Sequence, residues 1–184
     1  MQEELVRQAQ QGDVEAFDSL VRTVGDQCQA IAVRILRDVD LAEDAVQAAL
    51  ITAWTELRAL RDLSRFEPWL HRILTNACYA EARRRKRWYE GPRILPVASA
   101  YGSDDYLTVD DRDSLERAFR RLTLEHRAVL VFHHYLGLSI SEVAARIGLP
   151  VGTAKSRLHH ATQALRASLE ADARTTPSSQ ERLA

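Results

Sequence analysis

The chain has 184 residues, a length that suits one domain or two small ones. Its hydrophobic fraction of 46% suffices for ordinary cores and argues against a disordered chain. A membrane-spanning helix needs about 20 consecutive apolar residues, and the sequence has no such run, so no membrane insertion is expected. The N-terminus is acidic and amphipathic, unlike a signal peptide. We therefore expect a cytoplasmic protein.

The net charge of −1 conceals an alternating pattern along the chain. Residues 1–70 hold 7 basic and 13 acidic side chains, and residues 71–93 hold 7 and 2. Residues 94–113 hold 1 and 5, and residues 114–184 hold 10 and 6. Because nucleic-acid binding depends on local patches, a nearly neutral total does not exclude it. The two basic blocks are the candidate binding regions.

Nothing in the sequence predicts catalysis, a metal site or a cofactor. Cys28 and Cys78 are isolated thiols without CxxC spacing, so we expect both to be small buried hydrophobic residues. The chain has no nucleophile–base set, no phosphate-cradling glycine loop and no metal-ligand cluster. The expectation is a protein that is not an enzyme by itself, with no cofactor and no metal.

The first part of the chain predicts a series of amphipathic helices. Residues 3–10 and 14–24 form the first two, and residues 26–36 have a separate apolar stripe. Asp40 is expected to cap the following helix, with Glu43 at its third position. A polar connection with loop character occupies residues 57–67.

Residues 69–87 predict a long basic helix that begins at Pro68–Trp69. One of its faces combines cations, an amide and an aromatic ring, which is the chemistry that single-stranded nucleic acid requires. The residues on this face are Arg72, Asn76, Tyr79, Arg83 and Arg87. Five consecutive cations at 83–87 exceed what a helix dipole requires. Nucleic-acid binding is therefore favoured over a solvated basic helix end. The affinity of this helix for nucleic acid should fall as the salt concentration rises.

Residues 90–113 lack helical periodicity, contain several Gly and Pro residues and end in an acidic run. They predict a flexible interdomain linker. Beyond it, residues 114–137 predict a helix pair in which Thr123 can act as a cap. Residues 171–184 predict a disordered tail.

Residues 139–166 predict two short helices across a tight turn. Ser139 and Glu142 have capping-box spacing, Gly148 suits a left-handed helix end, and Pro150 suits a first helical turn. Val151 is expected on the buried side of the second helix. The other side of that helix carries hydrogen-bond donors: Thr153, Lys155, Ser156, Arg157, His159 and His160. This layout is typical of a helix-turn-helix with a recognition helix, although periodicity alone leaves a plain helical hairpin equally open.

The run PVGTAKSRL at residues 150–158, with GLS at 137–139, resembles region 4 of bacterial sigma factors. The resemblance is closer to the extracytoplasmic-function (ECF) group. The stretch that begins at Gly12 resembles the GDxxAFxxLV start of ECF region 2. The segment LAEDAVQAALITAW resembles region 2.2, and residues 69–87 resemble regions 2.3 and 2.4. The likeness covers about residues 12–88 and 115–169.

This resemblance implies roles for particular residues. Region 2.2 docks on the clamp helices of the largest subunit of core RNA polymerase, which implies contacts by Asp44, Gln47, Leu50 and Ile51. In the family, regions 2.3 and 2.4 hold a base that is flipped out of the −10 element. The resemblance implies that the loop at 61–66 and Asn76 form the pocket for that base in this chain. The implied −10 residues are Arg61, Ser64, Phe66, Arg72, Asn76, Tyr79, Arg83, Arg84 and Arg87. The donors of the second helix, Thr153 to His160, would contact the −35 element.

We therefore expect an all-α protein of two helical domains that acts as an ECF-type sigma factor. The expected divisions are a region 2-like domain (1–89), a linker (90–113), a region 4-like domain (114–170) and a tail (171–184). The expected partners are core polymerase, including the flap of its second-largest subunit, and promoter DNA, and an anti-sigma factor is a further candidate partner. Two alternatives are a free-standing helix-turn-helix regulator that binds a palindrome as a homodimer, and a helical adaptor. The second nucleic-acid stripe within residues 12–87 argues against the regulator, and the basic run together with VGTAKSRL argues against the adaptor.

Overall fold

A computed structural model describes residues 1–90 and 109–175 of the chain. All regular structure in these two stretches is helical, which confirms the all-α prediction. Short 3-10 turns at Leu57–Ala59 and Leu63–Arg65 and a π-helical turn at Val131–Tyr135 connect longer elements. The α-helices are α1 (Gln2–Gln10), α2 (Val14–Leu36), α3 (Val39–Glu56), α4 (Phe66–Glu90), α5 (Val109–Arg121), α6 (Leu124–Leu130), α7 (Ile140–Ile147) and α8 (Val151–Thr175).

Helices α1 to α4 pack into the first half of the molecule. Leucine and isoleucine side chains from α2 and α4 fill its centre, among them Leu20, Ile31 and Leu70. The buried face of α3 is lined instead by small side chains: Ala42, Ala45, Ala49 and Ala53. Because alanine is short, this face lets α3 lie close to both α2 and α4. Cys28 and Cys78 are buried free thiols in this core, as the sequence predicts.

Two sequence predictions for α2 and α3 are wrong. The helix α2 continues without a break from Val14 to Leu36, because Gly25 adopts an ordinary helical conformation. The cap of α3 is Asp38 rather than Asp40, since the Asp38 carboxylate accepts the N–H of Leu41 at 3.0 Å. Asp40 lies inside the first turn, where a negative charge still interacts favourably with the helix dipole.

Helices α5 to α8 form the second half, and their caps follow the sequence pattern closely. Thr123 accepts the N–H of His126 at 3.2 Å, and Ser139 with Glu142 completes a capping box. Gly148 ends α7 with a φ of 69°, a left-handed conformation that glycine adopts without steric cost. Val151 is 53% exposed, so its expected place on the buried face of α8 is wrong.

The expected boundaries of the linker and tail also differ from the observed helices. Glu90 belongs to α4, and α5 already begins at Val109, so both ends of the 90–113 stretch are helical. Helix α8 continues to Thr175, and Asp172 near its end pairs with Arg121 at 2.6 Å. The predicted disorder is therefore wrong for residues 171–175. The rest of the predicted linker and tail, residues 91–108 and 176–184, lies outside the described residues.

The two halves pack against each other along what we call the seam. On one side of the seam lie α4 and the C-terminal part of α2. On the other lie α5, α6, α7, the π-helical turn and Arg157 of α8. The ring of His71 lies 5.5 Å from that of Phe132. The guanidinium of Arg34 lies 3.8 Å above the ring of Tyr135. No helix of residues 1–90 and 109–175 has the length and hydrophobicity to cross a bilayer.

Candidate nucleic-acid interface

Helix α4 presents the predicted basic stripe on its outer face. Leu70, Leu74 and Cys78 on the opposite face are buried in the core, which fixes the rotation of the helix. As a result four of the five predicted stripe residues are exposed: Arg72, Asn76, Arg83 and Arg87. The stripe therefore offers cations and an amide to an incoming ligand along one side of a 25-residue helix.

Tyr79 is the exception in this stripe, because it lies half-buried at the seam. Its hydroxyl is buried close to the guanidinium of Arg157. Burial raises the pKa of Tyr79 to about 12, and the nearby guanidinium of Arg157 acts in the opposite direction. In this arrangement of the two halves the ring is therefore not a free stacking platform for a base.

The connection before α4 supplies two of the three predicted pocket residues. Arg61 and Ser64 are exposed, and the Ser64 hydroxyl donates to Asp62 at 2.6 Å. Phe66 is only 2% exposed and packs against Trp69, with ring centroids 6.1 Å apart. The expectation that Phe66 contacts DNA is therefore incorrect for this structure. Phe66 instead anchors the start of α4 in the core.

Within the cationic run at residues 83–87, one arginine pairs inside the fold and another pairs at the surface. Arg85 turns inward and pairs with Asp38 at the start of α3. Arg84 pairs with Asp44 at 2.9 Å and with Glu81 at 2.7 Å, and its side chain is largely exposed. An exposed ion pair contributes only about 0–1 kcal/mol, so Arg84 can exchange it for a phosphate at little cost. Arg85 instead stabilises the contact between α3 and α4.

The exposed face of α3 carries the residues expected to bind polymerase. Asp44 and Gln47 are exposed one turn apart, and Ile51 on the next turn is 60% exposed. Leu50 is half-buried and packs against the core, so only part of its side chain is available.

Two exposed residues extend the apolar end of this face. Trp54 lies one turn beyond Leu50 and packs on Phe17 of α2, with ring centroids 4.9 Å apart. Val14 at the start of α2 is 66% exposed. Val14 is not among the site residues that the sequence predicts. Its position directly after the Asp13 cap, off the buried stripe of α2, is the signal that could have identified it.

Helices α7 and α8 form the predicted helix-turn-helix. Val143, Ala144 and Ile147 bury one side of α7. The turn at Gly148 then directs the polar face of α8 outward. The exposed side chains of that face are Thr153, Lys155, Ser156, His159 and His160. Arg157 is half-buried because it points toward Tyr79 at the seam. The arrangement can present five donors to a groove at once.

The chain combines a helical unit that has an exposed basic helix with a helix-turn-helix unit, and both units match families of the sigma-70 class. Residues 20–88 match the Sigma-70 region 2 family, and residues 112–165 match the Sigma-70, region 4 family. Two comparisons with relatives narrow the assignment. The chain is 31% identical over 176 residues to the ECF RNA polymerase sigma factor SigW of Bacillus subtilis, covering 89% of this chain and 94% of that relative. It is 32% identical over 170 residues to the ECF RNA polymerase sigma factor SigL of Mycobacterium tuberculosis, covering 86% of this chain and 94% of that relative.

Solved structures show the same likeness. The sigma factor RpoE of Bartonella quintana, in complex with the anti-sigma factor NepR, superposes with a TM-score of 0.70 at 28% identity. That match covers 86% of this chain and 99% of the solved one. CnrH, in complex with the cytosolic domain of CnrY, superposes with a TM-score of 0.67 at 26% identity. That match covers 93% of this chain and 98% of the solved one. The chain belongs to the ECF sigma factors, which are promoter-recognising transcription initiation factors.

Proposed function

We propose that the chain directs initiation through three separate surfaces, each carried by one helix. The face of α3 binds core polymerase, α8 reads the −35 element, and the stripe of α4 captures the opened −10 element. The observation that carries this proposal is the outward rotation of α4, which exposes Asn76 together with the flanking arginines. The protein then acts in the cytoplasm, as an initiation factor with no catalysis of its own.

The α4 stripe suits single-stranded DNA better than duplex. Duplex phosphates need only the cations, whereas Asn76 can hydrogen-bond the edge of an unpaired base. Tyr79 can stack on such a base once the other half of the molecule no longer covers its ring. Stacking contributes about 1–3 kcal/mol per base, and extruding a base costs a few kcal/mol. Because the two terms are similar, a small number of side chains decides whether the strands stay open.

The recognition face of α8 suits the major groove. Lys155 and Arg157 can bind phosphates, which positions the helix without reading sequence. Ser156, His159 and His160 lie where base edges would be, and His159 and His160 adjoin each other with ring centroids 5.6 Å apart. Two adjacent imidazoles can donate or accept hydrogen bonds according to tautomer, so they can distinguish base pairs in the major groove.

Three finer contacts follow from family membership. Asp44, Gln47, Leu50 and Ile51 would contact the clamp helices of the largest polymerase subunit. The α5–α8 half would contact the flap of the second-largest subunit. Since RpoE was solved with the anti-sigma factor NepR, an anti-sigma factor is a further partner to test for this chain.

Run-off transcription tests the proposal directly. The full chain is added to core polymerase on a library of promoter fragments, and start sites are mapped, with core polymerase alone as the control. We expect start sites that share a −35 and a −10 motif. Co-elution with core polymerase separates this function from a homodimeric repressor, which would bind a palindrome without polymerase. Specific DNA binding as a dimer, with no co-elution and no transcript, would refute the proposal.

A further inference from the structure

The closed packing of the two halves is incompatible with simultaneous reading of both promoter elements. Elements centred at −35 and −10 lie about 25 base pairs apart, which is roughly 85 Å of duplex at about 3.4 Å per base pair. In the structure, however, Tyr79 from the −10 stripe lies beside Arg157 from the −35 helix. The two halves must therefore separate before the protein can occupy a promoter.

We propose that the free protein inhibits itself through the seam, and that Arg37 is the principal latch that keeps the two halves closed. The proposal rests on the proposed function, because it assigns promoter binding to the separated state. The side chain of Arg37 pairs with Glu116 of α5 and lies 5.7 Å from the ring of Phe119. It therefore joins the end of α2 to the other half by charge and by ring contact.

The backbone of Arg37 supports this role independently. Arg37 is the C-cap of α2, with a φ of 59° and a ψ of 32°. Among the described residues it is the only non-glycine residue with positive φ. Glycine or asparagine is usual at such a helix end, because other side chains are sterically disfavoured there. An arginine held in this conformation implies that its side chain has a task, and the contacts across the seam supply one.

The seam is also built to open, because it leaves polar atoms unsatisfied. Buried atoms without a hydrogen-bond partner are normally rare, since each one weakens the packing around it. Several such atoms belong to residues of the seam: Arg37 Nε, His71 Nδ1, Arg127 Nε and Arg146 Nε. Burial, followed by repulsion from Arg120, Arg127 and Arg34, lowers the pKa of Arg37 to about 10. An interface with these costs is marginal, so a partner with modest preference for the open state can separate it.

Opening would release both reading surfaces together. Tyr79 would gain the exposure that base stacking needs, and Arg157 would be freed for a phosphate. If only the open form binds, the apparent affinity for core polymerase and promoter falls in proportion to the open fraction. The latch thereby limits promoter binding by free sigma factor.

Fluorescence energy transfer between the halves measures the latch in the full chain. Cys28 and Cys78 are buried, and burial raises their pKa values to about 11 and about 12, so they react slowly with thiol reagents. Dyes can therefore be placed selectively through Gln27→Cys on α2 and Gln163→Cys on α8, both at exposed positions. We expect high transfer in the free protein and low transfer after addition of core polymerase.

Arg37→Gly is the decisive variant, because it removes the latch and relieves the backbone strain at once. The first half should therefore remain folded, which circular dichroism checks. We expect the closed-to-open ratio to fall about tenfold, the effect of losing one charged hydrogen bond, and core affinity to rise by up to a similar factor. Arg22→Ala is the matched control, since Arg22 is exposed and pairs with Asp18 on its own helix at 2.7 Å, and it should change neither quantity.

Low transfer in the free wild-type protein, or an unchanged ratio in Arg37→Gly, would overturn the latch. Opening without any gain in core or promoter affinity would show that the contact is not inhibitory. If neither protein binds core polymerase, the proposed function fails and inhibition fails with it. The transfer measurement on the free protein would then still decide separately whether Arg37 closes the seam.

Discussion

Mild acid should open the seam through His71. This side chain is 3% exposed, and its ring lies 5.5 Å from Phe132 of the other half. Burial, followed by the positive charge of Arg146, lowers the pKa of His71 from 6.5 to about 4, and Glu67 only partly opposes this shift. The closed form therefore holds a neutral imidazole at neutral pH, whereas an opened form exposes a ring that can take up a proton.

The direction of the pH effect follows from the lowered pKa. Above pH 6.5 the imidazole is neutral in both forms, so closing carries no protonation cost. As pH falls from 6.5 toward 4, the open form binds a proton that the closed form resists. This difference costs the closed form about 2 kcal/mol near pH 5, using about 1.4 kcal/mol per pKa unit. A loss of this size lowers the closed-to-open ratio about thirtyfold.

The same dye pair measures this effect between about pH 7.5 and about pH 5. His71→Leu keeps an apolar side chain against Phe132 and removes the titrating group, so its transfer efficiency should vary much less with pH. His160→Gln, at an exposed position on α8, is the control that removes a histidine outside the buried seam. Circular dichroism at each pH separates opening from unfolding. An equal acid response in the wild type and His71→Leu would refute the reasoning.

The remaining predictions concern the three proposed surfaces. Asp44→Arg should weaken binding to core polymerase in a titration while leaving the helix content unchanged, and unchanged affinity would remove Asp44 from the interface. Replacing His159 and His160 together should relax the selected −35 sequence at a cost of about 1–3 kcal/mol per lost contact, and an unaltered motif would exclude them as readers. Asn76→Ala and Tyr79→Ala should retain closed complexes but lose permanganate reactivity at −10, with Tyr79→Ala partly rescued on a template already unpaired there. If both variants open the promoter strands as the wild type does, the stripe is only a solvated basic helix face.

Local sequence pattern determined most of the secondary structure and the positions of the exposed candidate residues. The caps at Thr123 and Ser139 and the left-handed Gly148 depend on side chains within three residues, so they were predictable. The same holds for the outward stripe of α4, which follows from the period of its apolar residues. The errors at Gly25 and Asp40 arose because a short motif can be satisfied in more than one way by neighbouring residues.

Tertiary structure alone decided which of these residues face solvent and which face the other half. Phe66 became a core residue through its packing on Trp69, and Arg85 turned inward to Asp38. Tyr79 is covered by a helix that lies far from it in sequence. Helical periodicity specifies a residue's face on its own helix but not what packs against that face. The seam, the latch at Arg37 and the buried His71 therefore could not be predicted, because each depends on contacts between residues distant in the chain.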